Sequence, residues 1–289
     1  MRRRGFLTGA LGGGGLGIAA ALGGAAHRCS SVFSRYLNAD VRPRPLSSVD
    51  GVSRERTGRR YVLTYEWTDR LNRAWRTEFS LPQAAYAEAV REPHGYLGAF
   101  EAAKANPHAE RLTGRIAASN PFDGRRGAAF SESTRLERAV GFVRSLAYAT
   151  DSSSKGVPDY VRTVEETLVD GGGDCEDFAY LLVGMLSQPP FGYRTATVFL
   201  PGHMLVGVHS ADLPAKYADA RTLPGGTYVA IESVRSRPVG LFEDKPVLAI
   251  YGDGIEYVDP QAIAETTGDV LRDPSEFQTL ADFRSQALG

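Results

Sequence analysis

The run Gly171-Gly172-Gly173-Asp174-Cys175-Glu176-Asp177 constrains this chain more than any other stretch. Three consecutive glycines permit a tight backbone approach. Asp174 is a good N-cap, and Asp177, three residues on, makes an approximate capping box. Ala179, Leu182, Met185 and Leu186 then continue as an apolar face at helical spacing. A helix is therefore predicted to start with Cys175 in its first turn. Helix N-termini lower a thiol pKa through the dipole and the unpaired N–H groups, and the same N–H groups can stabilise an oxyanion. Glu176 and Asp177 oppose the first effect, so a base is needed to make a thiolate.

The order of residues downstream supplies one. Residues 194–199 read as a strand, Pro201-Gly202 as a turn, and His203-Met204-Leu205-Val206-Gly207-Val208 as the next strand. His203 opens that strand, where a side chain can project over a site built at strand ends. The strand at 227–232 ends in Ile231-Glu232, and antiparallel pairing of the two would bring Glu232 beside His203, where a carboxylate fixes the imidazole tautomer. His209 is the rival base, six residues on and on the same face of an unbroken strand. Asp177 reads as a cap before a catalytic group, and Tyr148 as either an oxyanion donor or a packed aromatic. Cys175, His203 and Asp177 could instead ligate zinc, but no second cysteine or close histidine pair supports this, so neither metal nor cofactor is expected.

Cys29 and Cys175 are the two cysteines of the 289-residue chain, too few for a disulfide framework. A bridge between them is compatible with an oxidising compartment, while a solitary thiol in the core reads as packing or chemistry. With 33 basic and 34 acidic residues the formal charge is -1, which does not advertise a nucleic-acid or polyanion surface.

Residues 1–26 carry a basic start, Arg2-Arg3-Arg4, and a Gly/Ala/Leu run without charge until Arg28. This is the pattern of an export signal, and Arg3-Arg4-Gly5-Phe6-Leu7 resembles the twin-arginine type. The alternative is an uncleaved membrane anchor, for which so many glycines are a poor helix. The chain is thus expected to be exported, to the cell envelope or beyond, touching membrane only through this segment. Ala26-His27-Arg28 before Cys29 is not the small-residue context of a lipid-attachment site.

Residues 27–58 are polar and proline-containing and read as a linker. Tyr61, Leu63, Tyr65 and Trp67, then Trp75, Thr77, Phe79 and Leu81, alternate with polar residues on either side of a turn at 69–73, a β-hairpin. A helix at 83–91 closes a module spanning 59–105. The stretch 106–127 is ambiguous, and 131–148 reads as a helix with Leu136, Val140, Val143 and Ala147 on its apolar face. The main domain is placed at 106–259, and a tail at 260–289 holds a helix near 274–287.

Gly173-Asp174-Cys175-Glu176-Asp177 with Ala179, then Pro201-Gly202-His203, then Tyr228-x-x-Ile231-Glu232 resembles the transglutaminase-like superfamily, which shares the papain-like core. Phe142-Val143-x-Ser145-Leu146-x-Tyr148 and Glu166-Thr167-Leu168 resemble a microbial branch of it. The resemblance covers roughly 61–232. It departs from the common pattern in using Glu232 where many relatives have Asp, and Met204 after the histidine where an Ala-Trp pair is frequent. It implies an α+β fold, a helical lobe carrying Cys175 packed on an antiparallel sheet carrying His203 and Glu232. It also implies thiol-mediated acyl transfer on protein or peptide amides, as peptidase, amidase or transglutaminase. The other class of function compatible with the residues is a non-catalytic binding module presenting a groove to an envelope partner.

Overall fold

The computed structural model describes residues 50–69, 73–92, 95–118, 131–157 and 159–272. The expected export signal, Cys29, most of the expected linker and the helix near 274–287 lie outside these residues. The first described element, β1 (Val52–Thr57), comes from the end of the segment read as a linker. It pairs antiparallel with β2 (Arg60–Thr68), which pairs with β3 (Ala74–Pro82). β1 is an edge strand with mostly exposed side chains, so its sequence carries no apolar alternation. The register sets Tyr61 against Leu81, Leu63 against Phe79 and Trp67 against Trp75, all buried on one face.

Four helices follow: α1 (Gln83–Ala89), α2 (Tyr96–Lys104), α3 (Pro107–Ala118) in the stretch the sequence left ambiguous, and α4 (Glu132–Val143). Ser131 caps α4 by accepting a hydrogen bond from the Thr134 N–H. The helix ends five residues before the expected boundary. The chain turns after Arg144, and β4 (Ala147–Tyr148) leaves as a short strand. Next come α5 (Asp151–Ser154) and α6 (Val164–Asp170), the latter opened by a Thr163/Glu166 capping box and ended by Gly171 with φ 75°. β5 (Gly172–Gly173) pairs parallel with β4 and leads into α7 (Cys175–Leu186), buried from Glu176 onward.

α7 is the central element, packed on α2, α3, α4 and α6 and on the face of a second sheet. That sheet contains β6 (Thr195–Leu200), β7 (His203–His209), β8 (Tyr228–Ile231), β9 (Ala249–Tyr251) and β10 (Ile255–Val258) in the order β10-β9-β6-β7-β8, all antiparallel. α8 (Pro260–Arg272) follows. The architecture is mixed α+β. Among the described residues no helix is long and apolar enough to cross a membrane.

The N-terminal sheet stands on the helices that lead to the cysteine. Tyr65 and Trp67 meet Phe142 of α4 edge-on at 5.0 and 5.4 Å. The last carbonyls of a helix have no partner within it. In α6 the Leu168 carbonyl accepts the Tyr65 hydroxyl at 2.9 Å, and the Val169 carbonyl accepts the Arg54 guanidinium. Tyr86 of α1 donates to the Asp170 carboxylate at 2.9 Å. The sheet therefore caps the helix whose end feeds the glycine run.

Candidate active site

The start of α7 is fixed from two sides. The β4/β5 pair continues as Ala147 N–H to the Gly171 carbonyl at 3.1 Å and Ala149 N–H to the Gly173 carbonyl at 2.8 Å. Asp177 folds back so that its Oδ2 accepts the Asp174 N–H at 3.1 Å and its Oδ1 accepts the Arg162 N–H at 2.7 Å. A Cβ on Gly173 would lie 2.4 Å from Asp177 Oδ2, so glycine there is what lets the carboxylate reach the backbone. Both Asp177 oxygens are taken by backbone N–H groups and by the Arg162 guanidinium. That geometry is a positioning one and does not assemble the Cys175, His203, Asp177 zinc set.

Cys175 is half-buried at the first position of α7. Its Sγ donates to Glu176 Oε2 at 3.2 Å, and the backbone N–H of Met204, the residue after His203, is near enough to favour the thiolate. Burial, then the negative charges of Glu176 and Asp174, push the thiol well above its ordinary range, and the Met204 N–H offsets only part of this. The helix N-terminus alone does not make a thiolate here.

His203 opens β7, and its Nε2 lies 2.9 and 3.2 Å from the two oxygens of Glu232. Glu232 is fully buried just past the end of β8, and its Oε1 also accepts the N–H groups of Val234 and Arg235 at 2.9 and 3.3 Å. Burial raises its carboxyl pKa, but the hydrogen bond and charge of His203 and the two N–H groups outweigh this and hold it below the usual carboxylate value. Arg144, just past α4, donates to the Glu232 carbonyl at 3.0 and 2.7 Å and to the Arg237 carbonyl at 2.9 Å, clamping the loop that carries the acid. With Nε2 on Glu232, Nδ1 is the ring nitrogen left for another partner. Among the described residues no hydrogen bond runs directly between Cys175 and His203.

His209 sits at the other end of β7, about 20 Å along the strand. Its Nδ1 accepts the Ala211 N–H at 3.2 Å and its ring meets Tyr228 edge-on. The rival base is thus removed from the site. Tyr148 is 55% exposed, its ring edge-on to Phe178 at 6.3 Å. Burial, then the charges of Cys175, Asp174 and Glu176 at the start of α7, raise its pKa.

Sequence spacing gave no sign of the carboxylates gathered behind the thiol. Ligand-capable oxygens of Asp151, Asp174 and Asp177 lie within 4.8 Å of one another, as do those of Asp151, Asp159 and Glu176. Arg162, fully buried, pairs with Asp151 at 2.9 Å, with Asp177 and with Asp170 at 3.4 Å. Lys155, its side chain also buried, pairs with Asp170 at 3.0 Å, and these two cations are fewer than the carboxylates they face. Burial and mutual repulsion push the Asp151 carboxyl up to about 9 and those of Asp174 and Glu176 well above the ordinary range. Asp174 Oδ1 is buried without a hydrogen-bond partner among the described residues. Such a donor set, all hard oxygens, is chemically suited to a calcium-type cation and not to zinc.

No family model matches this chain, and no curated protein does. Among solved structures it is similar to calcium-bound LapG of Legionella pneumophila, with 20% sequence identity over 54% of this chain and 83% of that one, at a TM-score of 0.30. A superposition this loose carries no residue roles, so the chemistry rests on the side chains above. A thiol under a strand-end N–H, an imidazole oriented by a buried carboxylate, and backbone N–H groups at a helix start are together the parts of nucleophilic catalysis at a carbonyl.

Proposed function

We propose that the chain is an exported thiol-dependent acyl-transfer enzyme of the transglutaminase-like, papain-like type, acting on protein or peptide amides. The observation that carries this reading is the buried Glu232 carboxylate on His203 Nε2, at the start of the strand that packs on the cysteine's helix. In this mechanism His203 Nδ1 takes the thiol proton and Cys175 Sγ attacks the amide carbon. The N–H of Cys175, with Tyr148 at the rim, faces the oxyanion. His203 returns the proton to the departing amine as the C–N bond breaks, leaving a thioester on Cys175. Water resolves it in a peptidase or amidase, and a second amine does so in a transglutaminase. Export rests on the N-terminal segment.

The carboxylates behind the thiol favour an addition to this reading. Asp151, Asp159 and Glu176 would hold a hard divalent cation, calcium among them, with Asp174, which converges on Asp151 from the other side and has an orphan Oδ1, next to it. Bound there, the ion would supply positive charge to offset the carboxylate repulsion at the start of α7. Calorimetric titration with calcium reads this without any assay of activity: saturable binding lost in Asp151→Asn supports it, and no heat of binding in the parent protein ends it.

The acyl-transfer reading is tested by trapping. A peptide library exposed to the protein should leave an acyl adduct on Cys175, seen by intact mass and peptide mapping, and alkylation of Cys175 should be speeded by His203 acting as its base. Both should be lost in His203→Ala. If that variant alkylates and acylates like the parent, the dyad is wrong and a non-catalytic binding module is the better reading.

A further inference from the structure

A cleft of about 520 Å³ opens between the end of the N-terminal hairpin, α4 and the loop that follows Glu232. Its floor is apolar, formed by Val140, Val234 and Val239 over the buried Leu136, and four cationic side chains line it, Arg73, Arg144, Lys216 and Arg237, with the buried Arg138 beneath them. Against them stand two carboxylates, Asp69, paired with Arg73, and Glu137, paired with Lys216. Arg138 and Arg144 are engaged with carbonyl oxygens, which satisfy hydrogen bonds but leave the charge in place. Arg237 Nε is buried without a hydrogen-bond partner among the described residues. In a chain of formal charge -1, this is a local concentration of positive charge over an apolar floor.

The cleft is joined to the reacting groups by the backbone. Val234 in its wall donates its N–H to the Glu232 carboxylate, and Ser145 in its wall lies three residues before Tyr148. We propose that this cleft is a substrate subsite that receives an acidic stretch of polypeptide next to the amide under attack. Concavity and the apolar floor suit an extended peptide whose backbone lies on the valines and whose carboxylates meet the cationic rim. The assignment as a substrate subsite rests on the acyl-transfer reading, but the binding itself requires no catalysis.

The experiment uses the full chain carrying Cys175→Ala and three labelled peptides of equal length: one rich in Asp and Glu, its Asn and Gln counterpart, and a Lys and Arg version. Fluorescence anisotropy should show the acidic peptide binding at least about tenfold more tightly than the other two, with affinity falling as salt rises. Lys216→Glu combined with Arg237→Glu should weaken the acidic peptide about tenfold or more, while Lys216→Arg with Arg237→Lys retains it, both variants having the parent's thermal unfolding. Equal binding of the three peptides, no binding of any, or indifference to the charge reversals would overturn the proposal. Displacement by inorganic polyphosphate as effectively as by the acidic peptide would also overturn it, making the cleft a generic anion site. Acidic peptide bound without a Cys175 adduct in the parent protein would remove the enzymatic reading and keep the cleft. Adducts formed without charge preference would do the reverse.

Discussion

In the proposed mechanism Glu232 acts through charge and not through bulk, and Glu232→Gln keeps the bulk. The amide can still meet His203 but no longer stabilises an imidazolium, so Cys175 acylation should fall by about 10²-fold or more. The same residue sets a sign for stability. Its folded pKa lies below the ordinary value of 4.5, so its contribution is present above that value and is lost as pH falls through the folded one. The parent should therefore lose stability on acidification below about 4.5 more steeply than Glu232→Gln, which is read by comparing denaturant midpoints across pH. Gly173 makes a second case. A methyl group there meets Asp177 Oδ2 at 2.4 Å, and Gly173→Ala should cost about 1–3 kcal/mol in equilibrium denaturation. At exposed Gly98 in α2 an added Cβ meets nothing within 4 Å, so Gly98→Ala should instead stabilise by about 0.5–1 kcal/mol. The contact of His203 with Glu232 and the place of Cys175 at a helix start were legible because helix start, strand start and strand end each leave a local pattern. Arg144, Arg162, Asp151 and Asp159 were not, because a polar residue that reaches across the fold to a distant carbonyl or carboxylate looks like any solvated one in sequence.

At the scale of elements, the apolar periods located β2, β3, α1, α4, α7 and the β6–β7–β8 run, while the places where packing overrides local pattern were hidden. β1 is polar because its side chains face solvent, and α4 stops at Val143 because Ala147 and Tyr148 find partners in Gly172 and Gly173, 25 residues away. The capping of α6 by the N-terminal sheet is also a tertiary fact. Tyr65→Phe removes the donor to the Leu168 carbonyl and leaves that acceptor buried, so it should cost about 1–3 kcal/mol. Because α6 feeds the glycine run, the variant should also loosen the start of α7, read as faster hydrogen exchange at Asp174 and Asp177 N–H than in the parent. A loss of stability with unchanged exchange at these two amides would separate the sheet from the site.

For the whole molecule, the sequence divides the chain into a hairpin module and a core, whereas the contacts run across that boundary. Phe142 of the core is flanked by Tyr65 and Trp67, and the last turn of α6 is held by Arg54, Tyr65 and Tyr86. If these contacts carry a substantial part of the stability, neither part unfolds alone. The chain supplies its own reporter, since its two tryptophans, Trp67 and Trp75, both belong to the N-terminal sheet while most of the helix lies beyond it. Tryptophan emission follows the sheet and far-ultraviolet circular dichroism follows the helices. The two denaturation curves should coincide in midpoint and slope. Phe142→Ala, which empties the space between Tyr65 and Trp67, should shift both together by about 3–5 kcal/mol. A tryptophan transition preceding the loss of helix would show an independent hairpin module, and the start of α7 would then owe its geometry to the core alone.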